Sequence, residues 1–228
     1  MKKTMLIAAT VALTTCVVAL AQSEVLSQNA VGYVKKSVPA AGGLAIVVHS
    51  LDSMDTVNVV FTNTSIADEL PRGSRAFFWT GLTWSFAEKS TKTGLWTGLA
   101  DKTLEPGEAF FLKTPATQLV EVVVTVAGEV PDSATLARTM SGSNNLTSAG
   151  NPYPVSTVFT NTALSTNLAR GARVYFWTGA AWSFAEKSTK TGNWTGLADK
   201  NLEPGEGFFV KNPSNDLPWT VDKPYTWP

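Results

Sequence analysis

Trp84-Ser85-Phe86-Ala87-Glu88-Lys89-Ser90-Thr91-Lys92-Thr93-Gly94 returns letter for letter over residues 182–192, and this duplication decides the fold. Working outward, residues 61–113 align with 159–211 at a constant spacing of 98 positions, and roughly 38 of the 53 aligned residues are identical. The closing Leu104-Glu105-Pro106-Gly107-Glu108 recurs over residues 202–206. Upstream, Val34-Lys35-Lys36-Ser37-Val38 aligns with Leu136-Ala137-Arg138-Thr139-Met140, and Leu44 with Leu146, there at a spacing of 102. Self-similarity on this scale means two copies of one folded unit. It also means two copies of whatever surface that unit presents, which favours binding, assembly or scaffolding over catalysis.

Almost all of the duplicated sequence reads as strand. Val120, Val122, Val124 and Val126 alternate with Glu121, Val123 and Thr125, the period of two of a half-buried strand. Leu44-Ala45-Ile46-Val47-Val48 is a short continuous apolar run, the pattern of a buried strand. Ala76-Phe77-Phe78-Trp79, Thr80-Gly81-Leu82-Thr83 and Trp84-Ser85-Phe86 predict a hairpin whose turn holds the glycine, for which positive φ is cheapest. Glu105-Pro106-Gly107-Glu108 has the proline and glycine positions of a type II turn, and it feeds a further strand at Ala109-Phe110-Phe111-Leu112-Lys113. A short helical turn is expected over residues 64–70, with Thr64 as its cap and Asp68 and Glu69 following. The expectation is an all-β protein of two tandem homologous units, each sandwich- or barrel-like with about six strands. Gly128-Glu129-Val130-Pro131-Asp132-Ser133 interrupts the apolar pattern at the junction. The predicted organisation is therefore a leader over residues 1–21, a first unit over 22–130 and a second over 131–228.

The leader is read as a cleaved export signal. Lys2 and Lys3 supply its positive start, an apolar run follows, and Ala19-Leu20-Ala21 gives a small-x-small cleavage pattern before Gln22. A membrane anchor is the competing reading, since the run approaches the ~20 residues that span a bilayer. A lipoprotein site at Leu13-Thr14-Thr15-Cys16 fits less well, because threonine is a poor residue before the modified cysteine. Cys16 is the only cysteine and leaves with the signal, so the mature chain is expected to hold together by its core. No second apolar stretch of spanning length follows, and no integral membrane segment is expected after cleavage. The composition, 44% hydrophobic and 16% charged, suits a packed core and excludes a disordered chain. Equal numbers of basic and acidic side chains, 18 of each, argue against capture of nucleic acid, which needs clustered Lys and Arg.

The chemistry-bearing residues are few. His49 is the only histidine, and Asn151 stands at its place in the second copy, so a hydrolytic triad or a histidine metal site lacks its parts. No calcium loop or phosphate-binding glycine motif is present, and no catalytic residue, metal ligand set or cofactor is assigned. Glu88, Asp101, Glu105 and Glu108 recur as Glu186, Asp199, Glu203 and Glu206, which leaves a carboxylate-based glycosidase as the enzymatic alternative. Glu105 and Glu108 flank a tight turn and are expected to face solvent. Each copy repeats three tryptophans, Trp79, Trp84 and Trp96, matched by Trp177, Trp182 and Trp194. The first two of each set sit in strands with phenylalanines and are expected to fill the core. Trp96 and Trp194 follow a Lys-Thr-Gly stretch that reads as loop. With Lys92, Lys190, Asp101 and Asp199 they form the candidate ligand-binding set, since indole faces stack on sugar rings while polar groups bond the hydroxyls.

The segments Ser27-Gln28-Asn29-Ala30-Val31-Gly32-Tyr33-Val34 and Leu202-Glu203-Pro204-Gly205-Glu206-Gly207-Phe208-Phe209-Val210-Lys211-Asn212-Pro213, with the Trp-Thr-Gly hairpins, resemble short exported β-repeat proteins of Verrucomicrobia- and Planctomycetes-type bacteria. The resemblance spans essentially the whole mature chain. Its motifs are structural, so it implies an exported bacterial β-repeat protein and transfers no catalytic residue. The first unit departs from the pattern, with Val47-Val48-His49 where the second has Ala149-Gly150-Asn151-Pro152. The function expected from these readings is that of an exported, non-enzymatic structural or adhesive module of the cell envelope, periplasm or extracellular space, able to self-associate. The alternative is a polysaccharide-binding protein with one aromatic site per repeat.

Overall fold

The computed structural model describes residues 31–51 and 59–226. The expected leader over residues 1–21 and its expected cleavage site lie outside the described residues. The first copy runs β1 (Val31–Val38), β2 (Leu44–Val48), β3 (Val59–Val60), α1 (Ser65–Glu69), β4 (Arg75–Trp79), β5 (Trp84–Lys89), β6 (Trp96–Gly98), β7 (Thr103–Leu104), β8 (Ala109–Lys113) and β9 (Val122–Glu129). The second repeats this order as β10 (Thr135–Met140), β11 (Leu146–Gly150), β12 (Thr157–Val158), α2 (Ala163–Asn167), β13 (Arg173–Trp177), β14 (Trp182–Lys187), β15 (Trp194–Gly196), β16 (Asn201–Leu202), β17 (Gly207–Lys211) and β18 (Leu217–Asp222).

The protein is all-β, with two similar antiparallel five-stranded sheets in tandem, ordered β2-β8-β4-β5-β6 and β11-β17-β13-β14-β15. Each is accompanied by a two-stranded ribbon, β1-β9 or β10-β18, and by a short ladder, β3-β7 or β12-β16. The barrel alternative falls away, since neither sheet closes on itself.

Local chemistry sets these elements. The β4–β5 hairpin turns at Gly81, whose φ is 95°, and the Thr80 N–H donates to the Thr83 carbonyl at 3.0 Å. Gly107 has a φ of 72°, and the Glu108 N–H closes the Pro-Gly turn onto the Glu105 carbonyl at 2.9 Å. Thr64 caps α1, its hydroxyl accepting from the Ala67 N–H at 3.3 Å.

Alternation along the strands then sorts the side chains to two faces. Ala76 and Phe78 of β4, Phe110 and Leu112 of β8, and Val47 of β2 point inward, where α1 and the buried Val124 and Val126 of the ribbon cover them. The second copy builds the same core around Phe159, Phe176, Phe208 and Val210, with Trp219 of β18 closing it.

The opposite faces of the two sheets meet each other. Ile46, Val48, Ala109 and Phe111 of the first copy pack with Phe209 of the second in a third core between the copies. Two reciprocal hydrogen bonds tie it. The Trp79 Nε1–H donates to the Leu146 carbonyl at 2.8 Å, and the Trp177 Nε1–H donates to the Leu44 carbonyl at 3.2 Å. The approach is closest where Gly150 pairs with Gly207 in the β11–β17 register. A Cβ on Gly207 would lie 2.6 Å from the Ala109 Cβ and 2.8 Å from the Ile46 Cγ1, and one on Gly150 would collide with Val48. The Pro-Gly turns clasp across the junction as well. Val48 N–H donates to the Gly205 carbonyl at 3.1 Å, and Arg138 of β10 lies 3.6 Å from Glu105 of the first copy's turn. The exchange of contacts in both directions makes the duplicated chain resemble a two-fold dimer fused into one polypeptide.

Candidate functional site

The outer face of each five-stranded sheet is ordered in rows. Arg75, Phe77 and Trp79 of β4 stand opposite Glu88, Phe86 and Trp84 of β5. In the second copy Arg173, Tyr175 and Trp177 stand opposite Glu186, Phe184 and Trp182. Each face therefore carries a charged row, a phenylalanine or tyrosine row and a tryptophan row. At the β2–β8 and β11–β17 side these faces press together. Towards β5 and β14 they leave Trp84 39%, Trp182 41%, Phe86 43% and Phe184 42% exposed.

Between them is a cleft of about 480 Å³. Trp79 and Trp84 of the first copy form one wall, and Tyr175, Trp182 and Phe209 of the second form the other. Trp84 lies 5.5 Å from Phe111 and 5.6 Å from Phe209, while Trp182 lies 5.8 Å and 5.6 Å from the same two rings. The exposed tryptophans of the two copies thus share one aromatic floor. Asn144 and Lys211 stand at the rim, and neither side chain has a hydrogen-bond or ion-pair partner among the described residues. The charged row is internally matched, Arg75 to Glu88 at 2.9 Å and Arg173 to Glu186 at 3.2 Å. The Glu186 hydrogen bond, followed by that to Tyr175, holds the Arg173 guanidinium above its ordinary range.

The tryptophans have exchanged the places expected of them. Trp96 and Trp194 are not on loops: they open strands β6 and β15 and are half-buried. Trp96 meets Phe61 edge-on at 4.9 Å and donates its Nε1–H to the Ala67 carbonyl at 3.1 Å. Trp194 repeats this with Phe159 at 4.8 Å and the Ser165 carbonyl at 3.0 Å. Trp84 and Trp182, expected in the core, are the exposed pair. Lys92 and Lys190 are exposed, and their carbonyls each accept from an arginine, Arg72 or Arg170, at 3.0 Å. Asp101 is exposed, and Asp199 accepts from the Thr160 hydroxyl at 3.4 Å. These six residues line none of the cleft.

The repeated Lys89 and Lys187 have a structural task. The Lys89 ammonium donates to the carbonyls of Ala67, Asp68 and Leu70 at 2.8, 3.1 and 2.8 Å, closing the C-terminal end of α1. Lys187 does the same at Ser165, Thr166 and Leu168. Each also lies 5.8 Å from the adjacent Trp96 or Trp194 ring centre.

Glu108 corrects the expectation of a solvent-facing turn acid. It is buried, accepts from the Lys102 ammonium at 2.9 Å and from the Glu105 N–H at 3.2 Å, and so fixes the turn that reaches across to the second copy. His49 is buried at the end of β2, and burial lowers its pKa to about 4, against a smaller opposing effect of its hydrogen bond with the Leu51 backbone. In the second copy Asn151 stands at this position, and its side-chain oxygen accepts from the Tyr153 N–H at 3.1 Å. Among the described residues no group of three or more His, Cys, Asp or Glu is placed to hold a metal ion. No helix among them is long and apolar enough to cross a membrane.

Comparison of the chain with protein-family models, with curated proteins and with solved structures returns no match. The reading of function therefore rests on the geometry of the cleft.

Proposed function

We propose that this protein is an exported, non-enzymatic module of the cell envelope or extracellular space that works by adhesion, holding its partner at the aromatic cleft between the two copies. The observation that carries the reading is the meeting of Trp84 and Trp182, each about two-fifths exposed, at one concave surface lined also by Trp79, Tyr175 and Phe209. Soluble proteins seldom leave several large aromatic rings open together except at an interaction site. The repeated carboxylates support a binding role over hydrolysis, because Glu88, Glu108, Glu186 and Glu206 are each engaged by a neighbouring Arg or Lys. Export is supported by Lys2, Lys3 and the Ala19-Leu20-Ala21 pattern.

The test has two parts. The full chain, expressed with its own leader, is fractionated and its mature N-terminus sequenced, and a start near Gln22 outside the cytoplasm is expected. The mature protein is then sedimented with insoluble envelope and matrix polymers, and retention is expected. An uncleaved cytoplasmic product, or no retention on any such material, would overturn the reading.

A further inference from the structure

We infer that the free edge of β18 is a peptide-binding site, at which an extended segment of another protein adds as a further strand. The site shares no residue with the aromatic cleft, and the two copies differ there in a way that opens it. Val34 pairs with Val126 and its counterpart Leu136 with Val221, so Thr125 of β9 and Thr220 of β18 are equivalent. In the first copy α1 caps the backbone of Thr125 from the side. The Thr125 carbonyl accepts from the Ser65 hydroxyl, and the Thr125 N–H donates to the Glu69 carboxylate. The second copy has Ala163 and Asn167 at those two places, and among the described residues neither is bonded to Thr220. The Lys223 N–H donates to the Ala134 carbonyl at 2.9 Å. Bonded and open pairs alternate along an antiparallel ladder, so the Thr220–Ala137 pair is an open one. The Thr220 N–H and C=O are thus turned away from β10, and β18 has no other neighbouring strand.

A pocket of about 290 Å³ lies between this edge and α2, with Thr220, Val221, Ala163, Asn161 and Leu202 in its walls. Trp219 also lines it, is only 4% exposed, and has an Nε1–H without a hydrogen-bond partner among the described residues. The chemistry of the occupant follows from the first copy. Ser65 and Glu69 supply Thr125 with one donor and one acceptor, the pair that a single residue of an incoming strand presents in its own N–H and C=O. A helix has neither to offer, because its amides are bonded internally. A strand still carrying its own sheet would meet α2, which borders the edge, so a single extended segment fits better. Charge and spacing constrain its sequence. Pro218 has no N–H and ends the run of edge donors, which leaves Thr220 and Asp222. Asp222 is the only charged residue lining the pocket and has no ion-pair partner among the described residues. The matching segment has Lys or Arg opposite Asp222, then an apolar residue turned toward Leu202 and Val221, then a β-branched residue opposite Thr220.

The experiment titrates the mature protein with the capped peptide acetyl-Ser-Lys-Val-Thr-Val-Ser-amide and reads amide hydrogen exchange residue by residue by nuclear magnetic resonance. In the free protein the Thr220 amide is expected to exchange about tenfold faster than that of Thr125, the difference one hydrogen bond makes. The peptide is expected to bind at one site and to slow it. Ala163→Ser combined with Asn167→Glu gives α2 the capping residues of α1, and is expected to abolish binding and raise the melting midpoint. The second arm leaves the protein untouched. A peptide methylated at its threonine nitrogen, which faces the Thr220 carbonyl, is expected to bind about tenfold more weakly, and one with Glu in place of Lys severalfold more weakly. A Thr220 amide already protected in the free protein would overturn the proposal, since the edge would then be covered within the molecule or by a second copy. No binding of the peptide would overturn it too, as would binding that neither the double substitution nor the methylated peptide weakens.

Discussion

Trp96 shows how a residue that looks like a ligand platform serves as a structural pin. Its ring closes on Phe61, its Nε1–H is spent on the Ala67 carbonyl, and the Lys89 ammonium reaches the same carbonyl. Replacing it with alanine removes ring packing and two partners at once, and we expect Trp96→Ala to destabilise the protein by about 2–3 kcal/mol, toward the low end for a large aromatic because the ring is half-buried. A thermal melt followed by circular dichroism checks this, and an unchanged midpoint would contradict it. His49 gives a second residue-scale expectation. Its folded pKa of about 4 lies below the ordinary 6.5, so between these values the unfolded chain binds a proton that the folded one refuses. Stability from this residue is present above pH 6.5 and is lost as pH falls towards 4, by about 3 kcal/mol for the full shift. His49→Asn, the choice the second copy already makes, should flatten that part of the pH profile in denaturant titrations at pH 7 and pH 4.

At the scale of elements, the strands and turns were legible because each is written locally. The Thr80-Gly81 hairpin, the Glu105-Pro106-Gly107-Glu108 turn and the Thr64 cap all stand where the residue chemistry places them. In the β4–β5 hairpin the tryptophan face was taken as the inner one, although the signal against it was present. Glu88 shares a face with Phe86 and Trp84, and Arg75 with Phe77 and Trp79, so a charged residue in each series marks the outer face. The small Ala76 and Ala87 mark the inner one, where Phe61, Phe78 and Phe110 already fill the space. The loop reading of Trp96 failed for a different reason. Flanking Thr, Gly and Lys suggest solvent, but its partners Phe61 and Ala67 are brought to it only by folding. The short junction over residues 128–133 implies that the copies pack on each other, but which faces meet was not legible, since nothing in one strand reports what its outer face meets. Gly207 is the most sensitive point of that contact. Gly207→Val would drive side-chain atoms into Ala109 and Ile46, and overpacking of this kind typically costs about 1–3 kcal/mol. Limited proteolysis should then cut between the copies at residues 128–133 faster than in the parent protein. Equal cleavage would count against the close approach.

At the scale of the whole molecule, duplication has produced one body with a shared seam. Each copy lends the other a Pro-Gly turn and a tryptophan hydrogen bond, and the β5 and β14 ends of the sheets are left apart with their aromatic rings uncovered. Of the edge strands, β6 and β15 are only three residues long and end in positive-φ glycines, which makes these two poor templates for pairing with another chain. The direct test compares two double variants in the same samples, reading melting temperature and retention on envelope polymers together. Trp84→Ala with Trp182→Ala should abolish retention while the midpoint stays within a few degrees of the parent. Trp96→Ala with Trp194→Ala should lower the midpoint markedly yet keep retention at temperatures where it remains folded. The reverse pattern, with binding lost only in the second variant, would contradict the assignment of the cleft as the functional surface.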